Sequence, residues 1–205
     1  FAVDLSLLVG AVNTAVAFTL FLCTGMIYAC IKFLQEWASP LTVVNYTLLG
    51  STSGFTLATA FAAYQGSGLT QFYGGWAIIL TLVSLLTRAS SLIRNTRIKH
   101  KSTTATAVGI RHARIEQKSQ GFMTGSFNTR EFFHGAPQVI FNGIKWLFLL
   151  SVFPLPVVLL ALGLSANAAG VFVIAFAVQY AGLLAERWYF FAEANHPQNL
   201  YYQTV

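Results

Sequence analysis

Six side chains in this 205-residue sequence could move protons or hold a polar head group beside an apolar phase: Arg130, His134, Lys145, Glu186, Arg187 and Trp188. The first two stand in Arg130-Glu131-Phe132-Phe133-His134-Gly135, where a guanidinium, a carboxylate and an imidazole follow one another closely. An imidazole titrates in the range useful for proton transfer near neutral pH. Lys145, Glu186 and Arg187 border a long uncharged run. Ionisable groups in or near a bilayer cost a few kcal/mol each, which makes them functional candidates. The plainer alternative is snorkelling to the interface, easy for Lys145 and Arg187 and harder for Glu186. If their helices are antiparallel neighbours, Lys145 and Glu186 reach similar depth, and an ion pair between them is expected. Trp37, Trp146, Trp188, Tyr189, Phe190 and Phe191 read either as an aromatic belt or as the apolar wall that a quinone head group needs.

Other chemistry is excluded by residue type and place. The histidines are His100, His112, His134 and His196, all in loops or at helix ends. A haem held between membrane helices needs axial ligands inside those helices, so no internal haem is expected. Cys23 and Cys30 do not form a Cys-x-x-Cys pair, and two thiolates fall short of the roughly four an iron–sulfur cluster takes. They read as buried packing residues. No Ser-His-Asp set, phosphate loop or carboxylate pair points to a self-contained hydrolase, and the basic residues accompany no nucleic-acid-binding module.

The elements that must position these groups follow from charge. Charged residues are 9% of the chain and hydrophobic ones 56%, against about 25% charged in soluble domains. Residues 5–31, 37–87 and 146–185 carry no charge. With about 20 apolar residues needed per span, these runs predict an all-α, polytopic transmembrane bundle. Five helices are expected, at about 5–32, 42–64, 73–93, 137–162 and 168–192, in a single domain over 1–205. Gly50 and Gly54 form a small-x-x-x-small pair suited to close helix packing, and Pro154 and Pro156 predict a kink. No signal peptide is expected. The sequence opens at Phe1 almost directly in a helix, so a further N-terminal part is expected outside it.

Threading five helices through a bilayer puts all 12 Lys and Arg residues at or near one face. By the positive-inside rule that face is cytoplasmic. The expected location is the inner membrane, with the 33–41 loop, the basic 94–136 loop and the C-terminus inside. The basic loop would touch anionic lipid or dock cytoplasmic subunits.

Two sets of motifs carry a family resemblance. Cys23-Thr24-Gly25-Met26-Ile27-Tyr28, Phe33-Leu34-Gln35-Glu36-Trp37, Ser39-Pro40-Leu41-Thr42, Asn45-Tyr46 and the Gly50–Gly54 helix resemble the membrane anchor subunit of the dimethyl sulfoxide reductase family. The closing Glu186-Arg187-Trp188-Tyr189-Phe190-Phe191-Ala192-Glu193-Ala194, with His196-Pro197-Gln198-Asn199, is most similar to the branch found in cytoplasmic sulfite dehydrogenases. The resemblance implies a membrane protein of about eight helices, of which this would be the C-terminal five. It implies a subunit that is not itself catalytic and holds no redox centre. Such a subunit anchors an iron–sulfur electron-transfer subunit and a catalytic subunit with a molybdenum cofactor, and offers a site to membrane quinone. The expected function is passage of electrons from cytoplasmic sulfite oxidation to quinone. The alternatives are the anchor of a related reductase drawing on quinol, with dimethyl sulfoxide or another sulfur compound as acceptor, a purely structural anchor, and a membrane transporter.

Overall fold

The computed structural model describes residues 4–99, 101, 103–110, 112, 114–115 and 137–195. Arg130 and His134 lie outside them. Among the described residues every regular element is an α-helix: α1 (Leu5–Ala29), α2 (Pro40–Tyr64), α3 (Thr70–Thr96), α4 (Thr104–Val108), α5 (Gln138–Val152), α6 (Pro154–Ala166) and α7 (Ala169–Ala192). Four segments are long and apolar enough to cross a membrane: α1, α3, α5 with α6, and α7. The remaining long helix, α2, matches α1 at 25 residues. Its hydropathy is lowered by a run of Thr, Ser and Asn that includes Asn45, Thr52, Thr56 and Thr59.

α2 is the centre of the bundle and packs against α1, α3 and α7, while α7 also packs against α5 and α6. The inward faces share one rhythm. Most buried positions fall at 42, 45, 49, 52, 56 and 59 on α2, at 74, 77, 81, 84, 88 and 91 on α3, and at 172, 175, 179, 182, 186 and 189 on α7, with Ala60, Ala62, Leu92 and Phe190 buried beside them. Alternating steps of three and four keep one narrow stripe of each helix facing its neighbours, as in knobs-into-holes seams. Most residues of the stripe are small or polar, with Leu49, Phe172 and Tyr189 the large exceptions, whereas Leu57, Leu86 and Leu184 stand exposed outside. This is the pattern that a lipid surround allows, because lipid gives apolar side chains no reason to turn inward.

Buried hydroxyls are satisfied locally. Thr56 donates to the Thr52 carbonyl at 3.0 Å, Thr81 to Ala77 at 2.6 Å and Ser84 to Leu80 at 2.7 Å. One hydroxyl pair crosses between helices, Thr52 to Ser84 at 3.0 Å, a bond worth about 0.6 kcal/mol in a membrane bundle.

α1 is the outlier. Gly25 is its one buried residue, and a Cβ there would come within 2.9 Å of the Val43 backbone. Cys23 and Cys30 are exposed, which corrects their reading as buried packing residues. Cys23 is about 200° around the helix from Gly25 at 100° per residue, so it faces away from α2.

The expected kink is a full break. Phe153, at φ −110° and ψ −78°, separates α5 from α6, and Pro154 opens the new helix. Pro156 has no N–H to offer the Val152 carbonyl four residues back. The Gln179 amide of α7 donates to that carbonyl instead, at 3.2 Å. At the far end of α6, Asn167 takes the left-handed conformation (φ 50°) and turns the chain directly into α7.

Candidate functional site

Neighbouring residues of α7 face different surroundings. Glu186 is 0% exposed and meets α3, where Arg88, 2% exposed, brings its Nε to 2.8 Å from Oε1. The other oxygen, Oε2, accepts from Arg187 Nε at 2.6 Å and also pairs with Arg187 Nη2. One carboxylate is thus shared by two guanidiniums. The Arg88 contact is an ion pair without hydrogen-bond alignment, since Arg88 Nε and Glu186 Oε1 have no hydrogen-bond partner among the described residues. The Arg88 guanidinium also lies over the Phe148 ring, 5.6 Å from its centroid.

The expected Lys145–Glu186 pair does not form. Arg88 occupies that place, because α5 turns Phe148 and Val152 inward and leaves Lys145 half-buried nearer Glu193. Equal depth is not enough when the two side chains leave their helices on different faces. Glu193, just past the end of α7, accepts from the Asn95 amide at 3.1 Å. Burial pushes its carboxyl above the ordinary range, with Arg88 and Asn95 pulling the other way.

Arg187 points to the opposite side of α7. Its guanidinium lies 4.1 Å from the centroid of the Tyr46 ring and 4.9 Å from that of Phe190. Tyr46 in turn stacks on Tyr28 at 5.6 Å, and Tyr28 touches Trp37, Phe190 and Phe191 edge-on. Trp37 stacks flat on Phe190 at 5.0 Å and donates its Nε1–H to the Phe190 carbonyl at 3.0 Å. The loop carrying Trp37 is tied down again by Arg94, which donates to the Gln35 and Glu36 carbonyls, and by Asn195 N–H, which donates to Glu36 Oε1.

Above this aromatic floor, α1, α2 and α7 enclose an open cleft of about 360 Å³, within the span usual for small-molecule sites. Its walls are Leu20, Phe21, Leu49, Leu183 and Leu184, and its polar end is Tyr46 with Arg187. Arg187 Nη1 has no hydrogen-bond partner among the described residues. Gly50 keeps the wall open: a Cβ there would stand 2.6 Å from the Phe21 ring, whereas Gly54 has open space around it. A flat apolar body with a carbonyl oxygen at one end fits this arrangement. Apolar side chains would clasp the ring, and a guanidinium N–H with a phenol would meet the oxygen.

Of the six sequence candidates, Glu186 and Arg187 come together here. Trp188 packs instead beside the Phe148–Tyr189 cluster, and Lys145 does not line the cleft. Sequence reading missed Tyr46, Tyr28 and Arg88. Arg88 was legible: it continues the stripe of Thr81, Ser84 and Ser91 and so had to face inward.

Over 203 residues, 99% of its length, the chain is 56% identical to a sulfite dehydrogenase subunit of Allochromatium vinosum, of which it covers 62%. The chain therefore spans less than two thirds of that relative's length. No family model matches the chain, and no solved structure matches it.

Proposed function

We propose that this chain is the membrane-embedded part of a subunit that passes electrons from sulfite oxidation to membrane quinone. The observation that carries this reading is the α1–α2–α7 cleft, apolar along its walls and ending on a half-buried cation and a phenol. A relative whose name makes it a subunit of a sulfite dehydrogenase supplies the electron donor in this reading. α2 joins the four apolar segments as a fifth span, made tolerable to lipid by burial of its hydroxyls among α1, α3 and α7. The end bearing Arg94, Trp37 and Glu193 faces the cytoplasm, where an iron–sulfur subunit docks and a molybdenum subunit oxidises sulfite. In the related reductase the same site would release electrons from quinol instead.

The protein's own part is to bind and orient. Arg187 keeps its proton at any working pH and polarises a carbonyl oxygen, while Glu186 fixes the guanidinium plane from behind. Purified complex should reduce a water-soluble quinone with sulfite. Arg187→Ala should slow that transfer roughly tenfold to a hundredfold while sulfite oxidation with an artificial dye persists. Unchanged quinone reduction in Arg187→Ala would remove this cleft from the pathway.

A further inference from the structure

We infer that Arg88, which lies behind the cleft and does not line it, gives the cleft a preference for ligands whose oxygen at the Arg187 end is anionic. The inference rests on the quinone reading above and adds which charge form of the ligand the site selects.

The charge count around Glu186 carries it. Arg88 Nε lies 2.8 Å from Glu186 Oε1, and Arg187 Nε lies 2.6 Å from Oε2. Arginine keeps its proton, so two positive charges share one negative charge and the cluster holds one in excess. To join α3 to α7, Arg88 and Glu186 alone would suffice, and that pair would be neutral. Donors are in excess as well: Arg88 Nη2 and Arg187 Nη1 are buried without a hydrogen-bond partner among the described residues.

The surroundings leave the excess standing. Toward the Trp37 end the next charged groups come one of each sign, Glu193 with Lys145 and Glu36 with Arg94, and burial favours Glu193 in its neutral form. Among the described residues that line the cleft, Arg187 alone is charged. The Tyr46 and Phe190 rings, 4.1 and 4.9 Å away, lower the cost of its guanidinium without neutralising it. The walls are apolar, so the charge is weakly screened there. An anionic oxygen at this end would bring the cluster to neutrality, which a carbonyl oxygen does not.

Arg88 is a positioning residue in this scheme. It touches no ligand, because Glu186 stands between it and Arg187. Removing it leaves a neutral Glu186–Arg187 pair beside unchanged walls. The same excess charge favours the arrival of an electron on a bound quinone: one electron, from a reduced one-electron carrier of the partner subunit, adds one negative charge and breaks no bond. Anionic lipid offers similar chemistry, a phosphate oxygen above an acyl chain, and the test separates the two.

The probes are a 3-alkyl-2-hydroxy-1,4-naphthoquinone, a weak acid that changes colour on ionising, and its 2-methoxy ether, which cannot ionise. Whole complex in phosphatidylcholine nanodiscs should bind the ionised hydroxy compound at least tenfold tighter than the ether, which reports the shape of the cleft alone. By linkage, the bound dye should then ionise at least about one pH unit below the free dye. Arg88→Met should return that midpoint to the free dye's value, and Arg88→Lys should keep the native one. If Arg88→Met assembles poorly, citrulline at position 88 keeps the shape of the side chain without its charge and should act as Arg88→Met does. An unshifted midpoint in the native complex, or a shift that survives loss of the charge at position 88, would overturn the inference. Displacement of the dye by added phosphatidylglycerol would assign the positive end to lipid and overturn it too. Failure of both probes to bind the native complex would instead sink the quinone reading itself.

Discussion

The two ends of this bundle are closed by different means. At the end near Trp37, loops are held by side chains that reach far along the sequence: Trp37 to the Phe190 carbonyl, Arg94 to Gln35 and Glu36, Asn95 to Glu193, Asn195 to Glu36. At the other end, Ser67 N–H donates to the Ala62 carbonyl and Ala168 N–H to the Gly163 carbonyl, both backbone turns. Two glycines there let helices touch, Gly74 against Leu164 and Gly163 against Phe172. A turn needs only to reverse the chain. A web of specific donors and acceptors fixes positions, and the cleft with Arg187 stands beside the web.

The comparison breaks if substitutions at the two ends cost the same. The largest effect belongs to Glu186→Ala, which leaves Arg88 buried without its counter-charge. Losing one partner of a buried pair costs about 3–5 kcal/mol, so detergent-solubilised complex should lose its monodisperse peak on size exclusion at room temperature. Arg187→Ala should fold. The loss of hydrogen bonds from a charged donor, about 1.5–3 kcal/mol, should lower quinone turnover roughly tenfold to a hundredfold. Trp37→Phe keeps the stack on Phe190 and loses the donor, at about 1 kcal/mol, seen as a lower melting temperature with the cleft still able to bind an inhibitor. At the far end, Asn167→Gly relieves a left-handed backbone and should stay within about 0.5 kcal/mol of native.

Glu193 sharpens the contrast through pH. Its carboxyl is held above the ordinary range by burial, so the fold favours the protonated form. That stabilisation is complete below the ordinary carboxylate range and disappears as pH rises through the raised value. Glu193→Gln keeps an oxygen for the Asn95 amide and removes the ionisation. The variant should therefore gain stability relative to native on going from acid to neutral pH in thermal-shift assays. A constant difference across that range would place Glu193 in water rather than in the web.

The helical, apolar character of the chain is legible because charge-free runs follow from the cost of ionised groups in lipid. Glu186 and Arg187 are legible for the same reason. Arg88 is visible once the steps of three and four along α3 are counted together with its hydroxyl residues, rather than as one more cation marking a face. Tyr46 carries no charge and interrupts no pattern, so nothing local marks it. Trp37 and Phe190 are separated by 153 positions, and only the packed bundle brings them to one stack. The Lys145–Glu186 expectation failed on facing direction, which depth alone does not supply.

The break at Phe153 has a consequence for how the protein is made. The Val152 carbonyl, abandoned by Pro156, finds its donor on Gln179, in a helix synthesised later. Until α7 follows, α5 and α6 would enter lipid with a bare carbonyl at the joint, a cost of several kcal/mol. The broken pair and α7 should therefore leave the insertion machinery together as one hairpin, with a single glutamine deciding when the first half becomes stable enough to let go.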